Sequence, residues 1–188
     1  MKDEIIKMFQ DAGAVLEGHF LLTSGLHSPV YWEKFRILQY PQYTKKLCGM
    51  IAEHFKNSNV QVVAGPTTGG IILAFEVACQ LGVKSIYAER EGGKRVFRRG
   101  LTLHPDARVL VVDDVLTTGG SVNEVIDAVK KINGKVIGIG VLVDRTREEI
   151  KFEAPLFSCL RTPAVTYTQN ECPLCAKNIP LVKPGSST

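Results

Sequence analysis

The chain has 188 residues, 45% hydrophobic and 22% charged, with a net charge of +4. That is the composition of an ordinary soluble globular protein with room for one well-filled core and a small appendage, and it lacks the basic stripe of a general nucleic-acid binder. No apolar run approaches the roughly 18 residues needed to span a bilayer, and no apolar stretch follows a basic segment near Met1, so neither a membrane nor a secretory destination is expected; the cytoplasm is.

In chain order, Asp3 to Ala14 carries Ile5, Ile6, Met8 and Phe9 at amphipathic spacing, a short helix ending at Gly13. Phe20 to Leu38 reads as β structure punctuated by Ser24-Gly25 and Ser28-Pro29. Tyr43 to Lys56 is a second helix. A βα alternation follows: strand Val60 to Ala64, helix Ile71 to Leu81, strand Lys84 to Glu89, strand Arg108 to Val112, helix Val122 to Ile132 and strand Val136 to Val143. This pattern predicts an α/β fold with a doubly wound parallel sheet, and Leu156 to Leu160 adds an edge strand. The segment after Pro180 has little to bury. Without repeats or linkers, residues 1–188 are expected to form a single domain.

Within this frame, Val109 to Val122 changes from a buried strand to two carboxylates to a helix-opening turn. Val109 to Val112 are four β-formers without polar alternation, as in a strand covered on both faces. Asp113 and Asp114 follow at the carboxyl edge, where open α/β sheets hold their ligands; two carboxylates there suit vicinal hydroxyls, or a Mg²⁺ bound mostly by water and phosphate. Val115 and Leu116 lead into Thr117, Thr118, Gly119, Gly120 and Ser121, a turn whose glycines admit an anion, whose hydroxyls donate to it, and whose Ser121 is placed to cap the next helix. Gly65-Pro-Thr67-Thr68-Gly69-Gly70 lies likewise between strand and helix, a second phosphate subsite holding no cation of its own. Five cations lie between Arg90 and Gly100, in a Gly-bounded loop with no obvious acidic partner nearby, which we read as a mobile basic lid. The chain contains no G-x-x-x-x-G-K-[ST], and Gly138-Ile-Gly140 sits inside an apolar run, so neither a P-loop nor a dinucleotide fold is indicated.

The Val109 to Val122 run resembles the phosphoribosyl-pyrophosphate (PRPP) fingerprint of the type I phosphoribosyltransferases. The run from Phe20 to Tyr31, with Ser24-Gly25, Ser28-Pro29 and the aromatic pair Tyr31-Trp32, resembles the N-terminal hood of the orotate phosphoribosyltransferases within that group. The resemblance covers nearly the whole chain. It implies a hood formed mainly by residues 1–40, with a possible C-terminal contribution, on a type I phosphoribosyltransferase sheet. It further implies transfer of ribose 5-phosphate from PRPP to orotate with Mg²⁺, in pyrimidine biosynthesis, by a homodimer with a shared active site.

By position, Asp113 to Ser121 would bind PRPP, Thr67 to Gly70 would meet the pyrophosphate, and Thr117 and Arg145 would contact orotate, a guanidinium fork suiting a planar carboxylate. Asp113, Asp114, Arg90 and Lys94 would be catalytic, with Mg²⁺ bound mainly through PRPP. The chain departs from the family pattern at Thr23, where a lysine is usual, and in the lid, whose Lys-x-x-Lys-x-His is replaced by the Arg/Lys loop. A purine phosphoribosyltransferase would share both phosphate loops, and a PRPP-sensing regulator would share the binding without the reaction. The nineteen residues before Phe20, however, leave no room for a DNA-binding module.

Two further features read as structural. His27 is a lone histidine that could touch ligand from the hood but is expected to be a packing or surface residue. Cys172-Pro-Leu-Cys175 is half of a Cys₄ zinc site whose other half is missing from the sequence, so a structural turn is expected, or a site shared across a dimer. With five cysteines, an odd number, and with Cys48 and Cys79 inside apparent helices, reduced thiols are the expected state.

Overall fold

Valine-rich runs without polar alternation become the centre of a parallel sheet because both of their faces can be buried only between helices. The computed structural model describes residues 2–22 and 24–184. Thr23 and the end of the tail, 185–188, lie outside the described residues. The chain divides into two compact units, residues 38–162 and residues 1–37 with 163–188.

In the larger unit, α3 (Pro41–Phe55) precedes β3 (Val62–Pro66), α4 (Gly69–Leu81), β4 (Lys84–Glu91), β5 (Lys94–Val96), β6 (Arg108–Leu116), α5 (Gly120–Lys131), β7 (Lys135–Asp144) and β8 (Leu156–Arg161). The strands run in the order β5-β4-β3-β6-β7-β8, all parallel except the β4–β5 hairpin. Residues alternate between the faces. Val109 and Val111 of β6, with Ile139 and Val141 of β7, join the core beneath α5. On the other face, Gly138 and Gly140 lie against Phe55 and Ile51 of α3, which packs beside α4. The expected doubly wound sheet is thus observed, and its strand order reverses between β3 and β6. Loops leaving the carboxyl ends of those two strands diverge to opposite faces and open a crevice between them.

In the smaller unit, α1 (Lys2–Asp11) buries Ile5, Met8 and Phe9, and the Phe9 ring meets Trp32 edge-on at 5.0 Å. β1 (Val15–Leu21) and β2 (His27–Trp32) form an antiparallel hairpin, and α2 (Lys34–Leu38) follows. The expected β region therefore ends at Trp32, because Glu33 and the following residues turn into a helix; the Arg36 N–H donates to the Glu33 carbonyl at 3.0 Å. The strand also begins earlier than expected, at Val15. Residues after Pro180 expose Leu181 and Val182, as expected of a segment with little to bury, yet the Val182 backbone pairs with both His19 and Leu21 of β1. Cys172 precedes a short helix, α6 (Pro173–Ala176). All five cysteines are free thiols. No helix among the described residues is long and apolar enough to cross a membrane.

Candidate active site

β6 runs four residues past the expected Val112 end because β7 extends equally far, pairing Val115 with Val143 and Leu116 with Asp144. The two acids therefore lie within the strand and, by its alternation, on opposite faces. Asp113 is 4% exposed; its Oδ1 accepts the Asp114 backbone N–H at 2.8 Å and its Oδ2 accepts the Ser121 hydroxyl at 2.5 Å. Asp114 is 2% exposed, and its Oδ1 accepts the Val115 N–H at 2.7 Å. Both carboxylates are held rigidly at the end of the sheet.

Helix α5 starts at Gly120, earlier than expected, and its N-cap is Gly119 in the left-handed region at φ +77°. Ser121 is consequently not the cap. It sits in the first turn, with its hydroxyl committed to Asp113. The first helical bond runs from Asn123 N–H to the Gly119 carbonyl at 2.9 Å, leaving the amides of Gly120, Ser121 and Val122 outside the helical ladder at its positive end. Thr117, Thr118 and Gly120 are exposed around them. This is an anion cradle.

The second loop closes on the first. α4 begins at Gly69 rather than Ile71, and a Cβ on Gly69 would occupy the position of the Asp114 carboxylate. Only glycine permits that approach. The Thr67–Thr68 peptide is cis. Thr67 donates its N–H to the Ala88 carbonyl at 3.1 Å and accepts from the Arg95 guanidinium, Nη1 to Oγ1, at 2.7 Å.

Nothing in the sequence sets Arg95 apart from the other four cations, yet it alone among them is buried, at 8% exposure. The expected Gly-bounded loop is in part a hairpin: Arg90 pairs with Arg95 and Glu91 with Lys94, turning at Gly92 and Gly93, both with positive φ. Strand alternation sends Arg95 inward and leaves Lys94 outward and exposed. The expected shortage of acidic partners is corrected as well. Arg90 grips both carboxylate oxygens of Glu124 at 3.0 Å, Arg95 lies 3.4 Å from the same group, Arg98 pairs with Glu91 at 3.3 Å and Arg99 with Glu89 at 2.8 Å. Lys94 has no ion pair among the described residues.

Arg145 follows β7, and its backbone N–H donates to the Leu116 carbonyl at 2.8 Å, which sets it beside Thr117. Its side chain is buried, and desolvation lowers its pKa to about 10, still cationic at neutral pH. Asp144, 3% exposed, ties the turn by accepting from the Thr146 N–H at 2.9 Å and hydroxyl at 2.7 Å, with Arg161 at 3.8 Å. The arrangement brings together two acids, two anion-ready loops and two buried guanidiniums, Arg95 and Arg145, at one end of the sheet.

Residues 36–170 match the family model described as a phosphoribosyl transferase domain. The chain is 50% identical to the orotate phosphoribosyltransferase of Desulforamulus reducens over 185 residues, 98% of this chain and 97% of that one. The chain belongs to the orotate phosphoribosyltransferases. In this family frame, the fold superposes on the crystal structure of the orotate phosphoribosyltransferase from Aeropyrum pernix with a TM-score of 0.70 and 29% identity, covering 84% of this chain and 93% of that one. It also resembles an adenine phosphoribosyltransferase from Thermoanaerobacter pseudethanolicus, with a TM-score of 0.68, 17% identity and coverage of 86% and 100%, a likeness of fold alone.

Proposed function

We infer that the chain transfers the ribose 5-phosphate of PRPP to orotate, giving orotidine 5′-monophosphate and pyrophosphate in pyrimidine biosynthesis. The observation that carries this reading is the approach of the Gly69 backbone to the Asp114 carboxylate, which supports a single site shared by the two phosphate loops at the end of the sheet. Full-length identity to orotate phosphoribosyltransferases favours orotate over a purine base and an enzyme over a regulator.

In this reading the amides of Gly120, Ser121 and Val122 and the hydroxyls of Thr117 and Thr118 hold the 5′-phosphate at the positive end of α5. Asp113 and Asp114 hold the ribose hydroxyls and stabilise positive charge developing at the anomeric carbon as pyrophosphate departs. Thr67 to Gly70 receive the leaving group, with Arg95 supplying the cation that the loop itself lacks. Arg145 and Thr117 orient orotate through its carboxylate. Lys94 and Arg90 remain candidates for closing over the leaving group; Lys94 is the freer to move, whereas Arg90 must first release Glu124.

The site also fits Mg²⁺. Its donors are hard carboxylate oxygens, and among the described residues no third acidic, His or Cys ligand joins Asp113 and Asp114 to make an all-protein cage. That suits an ion that keeps its waters and substrate phosphates. When bound, it would neutralise pyrophosphate charge. We also propose a cytoplasmic homodimer with a shared active site, supported by the family resemblance and by the apolar face of α4, where Ile72 is 44% and Phe75 63% exposed beside Leu38 and Pro41.

Asp113→Asn and Asp114→Asn test the proposal. Each keeps the side-chain shape but removes charge beside the reacting carbon, and each is expected to lower turnover about 100-fold or more with an unchanged circular dichroism spectrum. Near-normal turnover in both would overturn the assigned site.

A further inference from the structure

The C-x-x-C motif finds its missing half in the hairpin. His19 of β1, His27 of β2, Cys172 and Cys175 bring one donor atom each within 4.8 Å of one another. His19, His27 and Cys172 are only 2–3% exposed. Cys172 Sγ lies 3.4 Å from His19 Nε2, and Cys175 Sγ lies 3.3 Å from His27 Nδ1 and 3.7 Å from His19 Nε2.

Hydrogen bonding alone does not account for this convergence. His19 Nδ1 is 2.8 Å from the Ile179 carbonyl, which can only accept, so Nδ1 carries a proton, and in that tautomer Nε2 offers one lone pair. Three groups crowd that single lone pair: both thiols and His27 Nδ1, the last at 2.8 Å. At most one of them can donate to it. A metal ion resolves the conflict by accepting from all four groups.

Three of the donor spacings are those of a tetrahedron. Zinc bonds of about 2.3 Å to sulfur and 2.0–2.1 Å to nitrogen imply donor separations of roughly 3.6 Å for S···N and 3.3 Å for N···N. The S···N distances of 3.3, 3.4 and 3.7 Å fit, and an ion at the centre would part the two nitrogens by about 0.5 Å while drawing in the donors that stand up to 4.8 Å apart. The Nδ1–H to carbonyl bond on His19 is the outer-shell contact that orients a ligating histidine. Two thiolates cancel the charge of a divalent ion, so the filled site is neutral and can stay buried. The soft-plus-imidazole donor set selects zinc over magnesium or calcium.

We propose that His19, His27, Cys172 and Cys175 form a structural zinc site that fastens the C-terminal segment to the β1–β2 hairpin. With four protein ligands the site has no open position, so its role is structural rather than catalytic. The backbone already joins the same pieces on both edges: Tyr167 pairs with His27, and Val182 bridges His19 and Leu21. The zinc knuckle between them closes the clasp. A two-piece unit of residues 1–37 and 163–188 falls in the size range, below about 70–80 residues, where an apolar core supplies little stability and a metal commonly adds the rest.

The test uses full-length protein purified without chelators, with zinc measured by atomic spectrometry. The expected content is ~1 zinc per chain, lost from a Cys172→Ser/Cys175→Ser variant. Because that variant can fail to fold, reduced wild-type protein stripped of metal is also titrated with Co²⁺. Saturation at one equivalent, with thiolate-to-cobalt charge transfer and intense tetrahedral d–d bands, is expected. Wild-type protein that stays metal-free after zinc loading, Co²⁺ spectra without thiolate bands, or full zinc content in the folded double variant would each overturn the site.

Discussion

At the residue scale, the site depends on one missing methyl group. A Cβ on Gly69 has nowhere to go except into the Asp114 carboxylate, itself buried and bonded to the Val115 N–H. Gly69→Ala is therefore expected to displace the acid and lower turnover about 100-fold, because misplacing a group by about 1 Å is enough for that. Initial rates beside a thermal melt check it; a normal rate would mean that Asp114 does not need this position. Arg145 gives a second expectation. Its alanine variant should raise KM for orotate but not for PRPP, losing about 1.5–3 kcal/mol of charge-assisted hydrogen bonding. Arg145→Lys should make orotate binding pH-dependent. The burial that takes the arginine down to about 10 would likewise push a lysine below its usual value near 10.4, toward neutrality. The protonated form is the cation that binds, so KM for orotate should rise in the variant between pH 7 and 9 while wild-type KM changes little. Parallel profiles would remove Arg145 from the base pocket.

At the element scale, the β6–α5 motif was legible because its signal is local: buried strand, acids, glycine turn and helix lie in one continuous run. What was not legible depended on pairing. Nothing within residues 94–96 marks a strand, and only register against β4 decides that Arg95 points inward to Thr67 while Lys94 points outward. The extension of β6 to Leu116 is likewise a property of its neighbour β7. His27 reads as an isolated histidine, and nothing marks His19, because the cysteines that meet them lie far along the chain, brought back by the pairing of Tyr167 and Val182 with the hairpin. The β4–β5 hairpin carries its own expectation. Arg95→Ala should raise KM for PRPP about 10-fold, the worth of one charge-assisted hydrogen bond, and leave KM for orotate nearly unchanged. Arg95→Lys should restore this only in part, since one ammonium cannot reproduce a fork that reaches Thr67, the Ala88 carbonyl and Glu124 together. An equal rise for both substrates would show that the hairpin only supports the fold.

At the scale of the whole molecule, the proposed dimer predicts complementation. Inactive Asp113→Asn protein mixed with inactive Lys94→Ala protein should regain activity through heterodimers carrying one intact composite site; heterodimers proven by mass that stay inactive would place the lysine in its own chain's site or outside any. Phe75→Glu, on the exposed face of α4, should shift the dimer to monomer in sedimentation, and an unshifted dimer would exclude that face. The central claim is that one crevice, built from two phosphate loops and two acids, performs ribose transfer to orotate. Initial rates with PRPP and Mg²⁺, for orotate, uracil, adenine, hypoxanthine and guanine in parallel, address it most directly. Orotate should be converted to its 5′-monophosphate with equimolar pyrophosphate, at least about 100-fold faster than any other base, the discrimination expected of a carboxylate held by a buried guanidinium. Turnover of a purine base at a comparable or higher rate, or no turnover of orotate by folded protein, would contradict it.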